Sequence, residues 1–207
     1  MALKKCIKIY QSPNHTEDCH RMKISQMIIP GSLELIPERK EDARGYFSKV
    51  FNENLYSSLG LETKFPELYF SYSKKSVIRG LHFQKPPMEL TKLVTCLEGI
   101  IWDVLLDLRV DSPTYKKHLS IELSAASGNI LYIPPGIAHG FQVISDSALM
   151  LYKVSKVYSP ELDSGVLWNS AGIDWPIQDS ILSDRDKSFE KLEDFISPFR
   201  LASSSNE

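Results

Sequence analysis

The sequence lacks the features that mark several large classes of protein. No apolar run approaches the roughly 20 residues that a membrane-spanning helix needs, which argues against an integral membrane protein. Lys4 and Lys5 are not followed by an apolar stretch, so a signal peptide is not expected. The cysteines Cys6, Cys19 and Cys96 are odd in number and unpatterned, which fits a reducing cytoplasm. A formal net charge of −2 gives no general attraction to nucleic acid or to an anionic membrane.

The composition that is present predicts one globular domain with short extensions. A hydrophobic content of 43% and a charged content of 24% are typical of such proteins, and 207 residues suffice for a sizeable core. Residues 1–26 are polar and without periodicity, so we predict an N-terminal extension that need not be rigid. The domain itself is predicted over residues 27–200, and the Ser-rich residues 201–207 are predicted to be a disordered tail.

Short β-branched and aromatic runs alternate with turn signals through most of the chain. Strands are predicted at 33–36, 68–73, 77–83, 92–97, 100–108, 118–123, 129–133, 140–143 and 148–158. An early helix is predicted at 52–61, and 184–195 has apolar residues at helical spacing. Asp103 and Asp107 alternate with apolar residues, so both are assigned to an outward polar face. Many short strands with regular turns favour a β-sandwich or a closed barrel.

The strand around His82, with the sequence SVIRGLHFQ, is the first candidate for chemistry. Strict strand alternation places Arg79 on the face opposite His82. Gly80 shares the face of His82, where a missing side chain would leave room for a ligand. A single histidine on a strand is more often structural than catalytic, so His82 needs support from other motifs.

That support begins with the pattern G-x5-P-x-G-x2-H, which runs from Gly128 to His139 and matches the second half of the cupin motif. Gly128 permits a tight turn, and the Pro-Pro-Gly corner directs His139 into a barrel mouth. The first half of the motif normally supplies His-x-His and Glu to a metal, but Gln84 occupies the second histidine position. Metal sites of this kind need at least three ligands. We therefore predict an all-β, cupin-type jelly-roll barrel with short peripheral helices and without a metal, and a metal at His82 and His139 is the less favoured alternative.

The motifs RGLHFQ, KLV, DLRVDSPTY, IPPGIAHGF, LYK, YSPE, GIDWP and LSDRD follow one another across about residues 27–190. With them the chain resembles the dTDP-4-dehydrorhamnose 3,5-epimerase family. The resemblance implies a cytoplasmic isomerase that inverts C3, C5 or both in a nucleotide-linked 4-keto-6-deoxy sugar, in deoxysugar biosynthesis. It also implies a homodimer that works without metal or organic cofactor and has no nucleic-acid or membrane partner.

The resemblance further implies a role for each residue at a matching position. His82 matches the base, and Asp186 matches the carboxylate that orients it. Tyr152 matches the acid that reprotonates the opposite face, and Lys92 matches a lysine near the developing enolate; inversion beside a ketone requires such groups. Substrate-binding roles fall on Arg44, Tyr46, Arg79, His139, Asp163, Arg185, Lys49, Glu67 and Tyr69. In this family the strand of Tyr46 can reach into the site of the partner subunit.

Several positions depart from the family pattern. Lys49 replaces a glutamate, Glu67 and Tyr69 replace the glutamine and asparagine of Gln-x-Asn, Val157 replaces a second tyrosine, and Asp163 replaces another glutamate. We expect the altered binding shell to weaken use of the dTDP-linked rhamnose precursor. Three alternatives remain open: an epimerase for a GDP- or CDP-linked 4-keto sugar or heptose, a metal-dependent cupin oxygenase, and a non-catalytic sugar-binding cupin.

Overall fold

The computed structural model describes residues 7–11 and 21–201. Within them, the strands are β1 (Ile7–Gln11), β2 (Arg21–Gln26), β3 (Leu33–Pro37), β4 (Arg39–Asp42), β5 (Gly45–Ser48), β6 (Glu67–Lys74), β7 (Ile78–Gln84), β8 (Lys92–Glu98), β9 (Ile100–Asp107), β10 (His118–Ser124), β11 (Ile130–Ile133), β12 (Ile137–Val143), β13 (Ser147–Val154) and β14 (Asp163–Gly165). The helices are α1 (Glu53–Ser58) and α2 (Asp184–Lys187). No helix of the described residues is long and apolar enough to cross a membrane.

Two large antiparallel sheets pack against each other. The first has seven strands in the order β1-β2-β3-β11-β8-β13-β6, and the second has five strands in the order β10-β9-β12-β7-β14. Val94 of β8 and Met150 of β13 share one buried cluster with Leu105 of β9 and Phe141 of β12. The core therefore lies between the sheets, and the predicted all-β jelly roll is confirmed.

The predicted strands between residues 33 and 158 coincide with observed strands, with ends displaced by a few residues. The predicted early helix is also present, and the Asn52 side chain caps it by accepting from the backbone N–H of Leu55. The helical spacing at 184–195 yields only α2, because Leu192 and Phe195 pack into a hydrophobic cluster from irregular backbone.

The domain begins before residue 27, which corrects the predicted boundary. β2 pairs with β3 in the register Ile24↔Leu35. Met22 and Ile24 are buried with Leu35 under α1, so the alternation of RMKISQ marks a core strand that the polar composition concealed. The rest of the predicted extension, residues 1–6 and 12–20, and residues 202–207 of the predicted tail lie outside the described residues.

Candidate active site

A cavity of about 420 Å³ opens between the two large sheets. The seven-stranded sheet contributes Glu67, Tyr69, Ser71, Lys92 and Tyr152 to its lining. The five-stranded sheet contributes Arg79, His82, His139 and Asp163. The structure thus brings together, from distant parts of the chain, most of the residues that the sequence predicted to act on a substrate.

A β-bulge in β7 directs two of these side chains into the cavity. His139 of β12 pairs with His82, but Phe141 pairs with Arg79, so β7 has one extra residue over this stretch. Because of that residue, Arg79 and His82 both line the cavity. The prediction that they face opposite ways is wrong, since strict alternation does not hold across a bulge.

Gly80 lies within the bulge, and its missing side chain makes room for the neighbouring strand. Its φ is +140°. A Cβ atom on Gly80 would lie 2.5 Å from the Cα of Gly140 in β12. The predicted space for a ligand at Gly80 is therefore wrong, because the backbone of β12 already fills it.

His82 forms a pair with Asp186, which α2 places behind it. The Nε2 atom of His82 lies 2.8 Å from Oδ1 of Asp186. The other oxygen, Oδ2, accepts the backbone N–H of Gly80 at 3.1 Å. A carboxylate only accepts hydrogen bonds, so Nε2 of His82 carries the proton and donates it. The Nδ1 atom has no hydrogen-bond partner among the described residues, which leaves its lone pair available to a substrate.

The surroundings of this pair keep the histidine neutral and the aspartate ionised. Burial lowers the pKa of His82, and its hydrogen bond to Asp186 raises the pKa without offsetting the burial. Burial alone would raise the pKa of Asp186, but hydrogen bonds from His82 and Gly80 outweigh it and lower that pKa. A neutral imidazole beside a carboxylate can accept a proton near pH 7.

Lys92 is a buried cation in the same cavity. Its Nζ donates to the backbone oxygen of His82 at 3.1 Å. Burial lowers the pKa of Lys92 to about 8, although the charges of Asp163 and Asp103 oppose that shift. The ammonium group is therefore mostly protonated at neutral pH and is held where negative charge could develop on a substrate.

Tyr152 lies on the seven-stranded sheet, whereas His82 lies on the five-stranded sheet. Its ring stacks on Tyr69, with centroids 4.7 Å apart and an interplanar angle of 14°. The His139 ring is tilted by 68° to the Tyr152 ring, with the two centroids 6.3 Å apart. The Tyr152 hydroxyl lies 3.3 Å from Oγ of Ser71. Burial raises the pKa of Tyr152, so the phenol stays protonated and suits the role of an acid.

Two further aspartates form buried pairs, which corrects their predicted outward position. Asp103 and Asp107 are both 0% exposed. Oδ2 of Asp103 lies 2.8 Å from Nε2 of His139, and Asp107 forms an ion pair with Arg109 at 2.8 Å. A buried carboxylate is tolerated in a core strand when it is paired, whereas an unpaired one would destabilise the fold. The alternation of polar and apolar residues did not reveal that His139 and Arg109 are the partners.

Two predicted binding residues form an ion pair at the cavity, and two residues that the sequence did not single out also line it. Arg185 binds Asp163 at 2.5 Å. Lys156 and Tyr158 also line the cavity. The family pattern places its second tyrosine at the position of Val157, and Tyr158 is the next residue. Allowing the spacing between the two family tyrosines to vary by one residue would have identified Tyr158.

Three predicted binding residues do not line this cavity in the part of the chain that the structure describes: Arg44, Tyr46 and Lys49. They lie on or beside the β4–β5 hairpin, which forms a two-stranded sheet of its own. Arg44 is paired with Asp42 at 2.6 Å, and Tyr46 is 58% exposed. Their substrate-binding role stays a prediction, and it would require the hairpin to enter the cavity of another copy.

A metal-binding arrangement of three or more His, Cys, Asp or Glu side chains does not occur within the described ranges. His82 and His139 are paired across β7 and β12, but each directs Nε2 to its own aspartate. Gln84 ties two loops together, because it donates to the backbone oxygen of Met88 and accepts from the backbone N–H of Ser159. The predicted absence of a metal cofactor stays a prediction.

Comparison with known proteins adds independent findings. The family described as dTDP-4-dehydrorhamnose 3,5-epimerase matches residues 26–194. The chain is 39% identical to the dTDP-4-dehydrorhamnose 3,5-epimerase of Shigella flexneri over 176 residues, covering 84% of this chain and 97% of that one. It is 36% identical to the dTDP-4-dehydrorhamnose 3-epimerase of Streptomyces niveus, covering 80% and 82%. A solved epimerase from Legionella pneumophila, in complex with dTDP-4-keto-L-rhamnose, has a TM-score of 0.83 and 33% identity, covering 87% and 100%.

Proposed function

Since the chain belongs to the dTDP-4-dehydrorhamnose 3,5-epimerase family, we propose that it epimerises a dTDP-linked 4-keto-6-deoxy sugar in the cavity between its sheets. Membership makes the chain an isomerase in deoxysugar biosynthesis, and the resemblance found in its motifs is confirmed. The Legionella relative, which holds dTDP-4-keto-L-rhamnose, supports dTDP as the nucleotide. The position of His82 and Tyr152 on opposite walls of one cavity carries the proposed mechanism.

The first step removes a proton from a carbon next to the ketone. Nδ1 of His82 takes that proton, and the electron pair of the C–H bond moves into the enolate. Asp186 accepts from Nε2 at 2.8 Å and stabilises the imidazolium that forms. The ammonium group of Lys92 stabilises the negative charge on the enolate oxygen.

The second step returns a proton to the other face of the same carbon. Tyr152 donates its phenolic proton, because its wall of the cavity is opposite that of His82. Each inversion then leaves an imidazolium and a phenolate, and proton exchange with water restores both groups. The new C–H bond therefore carries a hydrogen from solvent, which isotopic labelling can follow.

Solvent deuterium incorporation tests this function. The purified chain is incubated in deuterated water with dTDP-4-keto-6-deoxyglucose, and NMR follows label and configuration at C3 and C5. We expect exchange and inversion with the wild type, loss of both by about 10²–10⁴-fold with His82→Ala, and continued exchange with little inversion for Tyr152→Phe. GDP- and CDP-linked substrates, measured in parallel, test the proposed use of dTDP against the weak use of dTDP that the altered binding shell predicted. Full activity of His82→Ala would refute the mechanism.

We also propose a homodimer in which the β4–β5 hairpin completes the partner's cavity. Tyr46 and Phe47 support it, because these aromatic residues are 58% and 61% exposed on a two-stranded sheet. Mixing the inactive variants His82→Ala and Arg44→Ala should restore activity, since a mixed dimer would contain one intact site. A monomeric mass in solution would rule this arrangement out.

We further propose that the protein is located in the reducing cytoplasm. The buried free thiol of Cys96 is consistent with that location.

A further inference from the structure

Tyr69 is the nearest aromatic neighbour of the proposed acid. It lies directly opposite Tyr152 in the pairing of β6 with β13. The two rings are nearly parallel, at 14° and 4.7 Å between centroids. Tyr69 also lines the cavity. Cross-strand aromatic pairs of this kind stabilise each other's positions.

The contacts of Tyr152 show which groups limit the movement of its ring. Tyr69 covers one face of the ring, and the His139 ring approaches at 68° with a centroid distance of 6.3 Å. Oγ of Ser71 lies 3.3 Å from the hydroxyl. His139 is itself held by Asp103 at 2.8 Å. Removal of the Tyr69 ring would therefore open the stacked face of Tyr152, while its other neighbours stay in place.

The position of the acid matters because two carbons flank the ketone, C3 and C5. A base that reaches both carbons exchanges both, but only a carbon within reach of the acid is inverted efficiently. The named activities of the relatives include both a 3,5-epimerase and a 3-epimerase. The ratio of inversion at the two carbons is therefore a property that differs between similar proteins.

We propose that Tyr69 is a positioning residue that holds the ring of Tyr152 and thereby sets the ratio of inversion at C3 to inversion at C5. This inference rests on the proposed epimerase function. Tyr69 acts through its ring, by contact with Tyr152, and not as a proton donor. Its hydroxyl is accordingly dispensable, whereas its aromatic face is not.

Two substitutions at one position separate the ring from the hydroxyl. Tyr69→Phe keeps the stacked ring, and Tyr69→Asn removes it. Tyr72→Asn is the matched control, because Tyr72 lies on the same strand, is 57% exposed and alternates to the face away from the cavity. Deuterium incorporation and inverted product are measured separately at C3 and C5 of dTDP-4-keto-6-deoxyglucose, together with kcat and KM.

We expect Tyr69→Phe and Tyr72→Asn to keep the wild-type ratio within about twofold. Tyr69→Asn should still exchange deuterium at both carbons, because His82 is untouched. Its kcat for inversion should fall about tenfold or more with little change in KM, and its ratio of inversion should shift at least about fivefold, since misplacing a reacting group costs rate.

An unchanged ratio in Tyr69→Asn would overturn this inference, while the proposed function would stand. A Tyr69→Phe variant that behaves like Tyr69→Asn would overturn it too, because the hydroxyl would then be the active group. Loss of exchange in a folded Tyr69→Asn variant would assign Tyr69 to substrate binding and contradict positioning. If the wild type exchanged no deuterium with this substrate, the proposed function would fail and the inference with it.

Discussion

Replacement of Asp186 by asparagine should prevent His82 from acting as a base, while a side chain of the same volume still fills the space behind His82. The two oxygens of Asp186 serve two donors, Nε2 of His82 at 2.8 Å and the backbone N–H of Gly80 at 3.1 Å. Asparagine offers one oxygen and one NH₂ group in the same volume. The backbone N–H of Gly80 is fixed as a donor, so the oxygen of asparagine should turn to it and the NH₂ group should face His82.

In that arrangement Nε2 of His82 must accept a hydrogen bond, and its proton moves to Nδ1. The nitrogen that faces the substrate would then be protonated and could not take a proton from carbon. Loss of a general base costs about 10²–10⁴-fold in rate. Since each tenfold step is 1.36 kcal/mol, the barrier should rise by about 3–5 kcal/mol. We expect kcat to carry most of this loss, because Asp186 is 4% exposed and acts from behind His82.

The assay is the initial rate of deuterium incorporation next to the ketone, measured by NMR for wild type and variant. Asp184→Asn is a matched control, since Asp184 lies in the same short helix and its side chain is fully exposed beside Lys187. This control should keep the wild-type rate. An Asp186→Asn variant that exchanges deuterium at the wild-type rate would refute the assignment of Nδ1 as the base. An equal loss in the Asp184→Asn variant would contradict the proposed change of tautomer as the cause, because disruption of α2 would then explain both losses.

Two further predictions concern pH and stability. The pKa of Lys92 is lowered to about 8, so kcat/KM should fall as the pH rises through that value and the ammonium loses its proton. Lys92→Arg keeps its charge and should lose this alkaline limb in a pH–rate profile, and an unchanged limb would contradict the role of Lys92. Gly80→Ala should lower the free energy of unfolding by at least about 2 kcal/mol in urea titration, because its Cβ would lie 2.5 Å from Gly140. Gly172→Ala, also at positive φ but with no neighbour within 4 Å, is the control and should cost less.

Local sequence pattern was sufficient to predict the jelly roll and the strand that carries the proposed base. Strands β7, β8 and β9 have β-branched and aromatic runs bounded by turn residues, and these signals depend only on neighbours in the sequence. Pairing between distant segments was beyond such reasoning. The bulge that brings Arg79 to the face of His82 exists only in the register of β7 with β12.

The buried partners of charged residues were inaccessible for the same reason. Asp103 and His139 are 36 positions apart, and only the fold places their side chains 2.8 Å from each other. Alternation with apolar residues therefore assigned Asp103 to the surface. Asp186 was identified through family motifs, since nothing in its local sequence shows that it contacts a strand 104 positions earlier.

The cavity has one wall on each sheet, so a bound nucleotide sugar would act as a cross-brace between them. Such a brace stabilises the folded state by RT ln(1 + [L]/Kd), or about 2.7 kcal/mol when ligand exceeds its Kd a hundredfold. Proteases in the cell degrade mainly unfolded or opened chains. The lifetime of this protein should therefore lengthen when its substrate is abundant and shorten when the supply of that sugar stops.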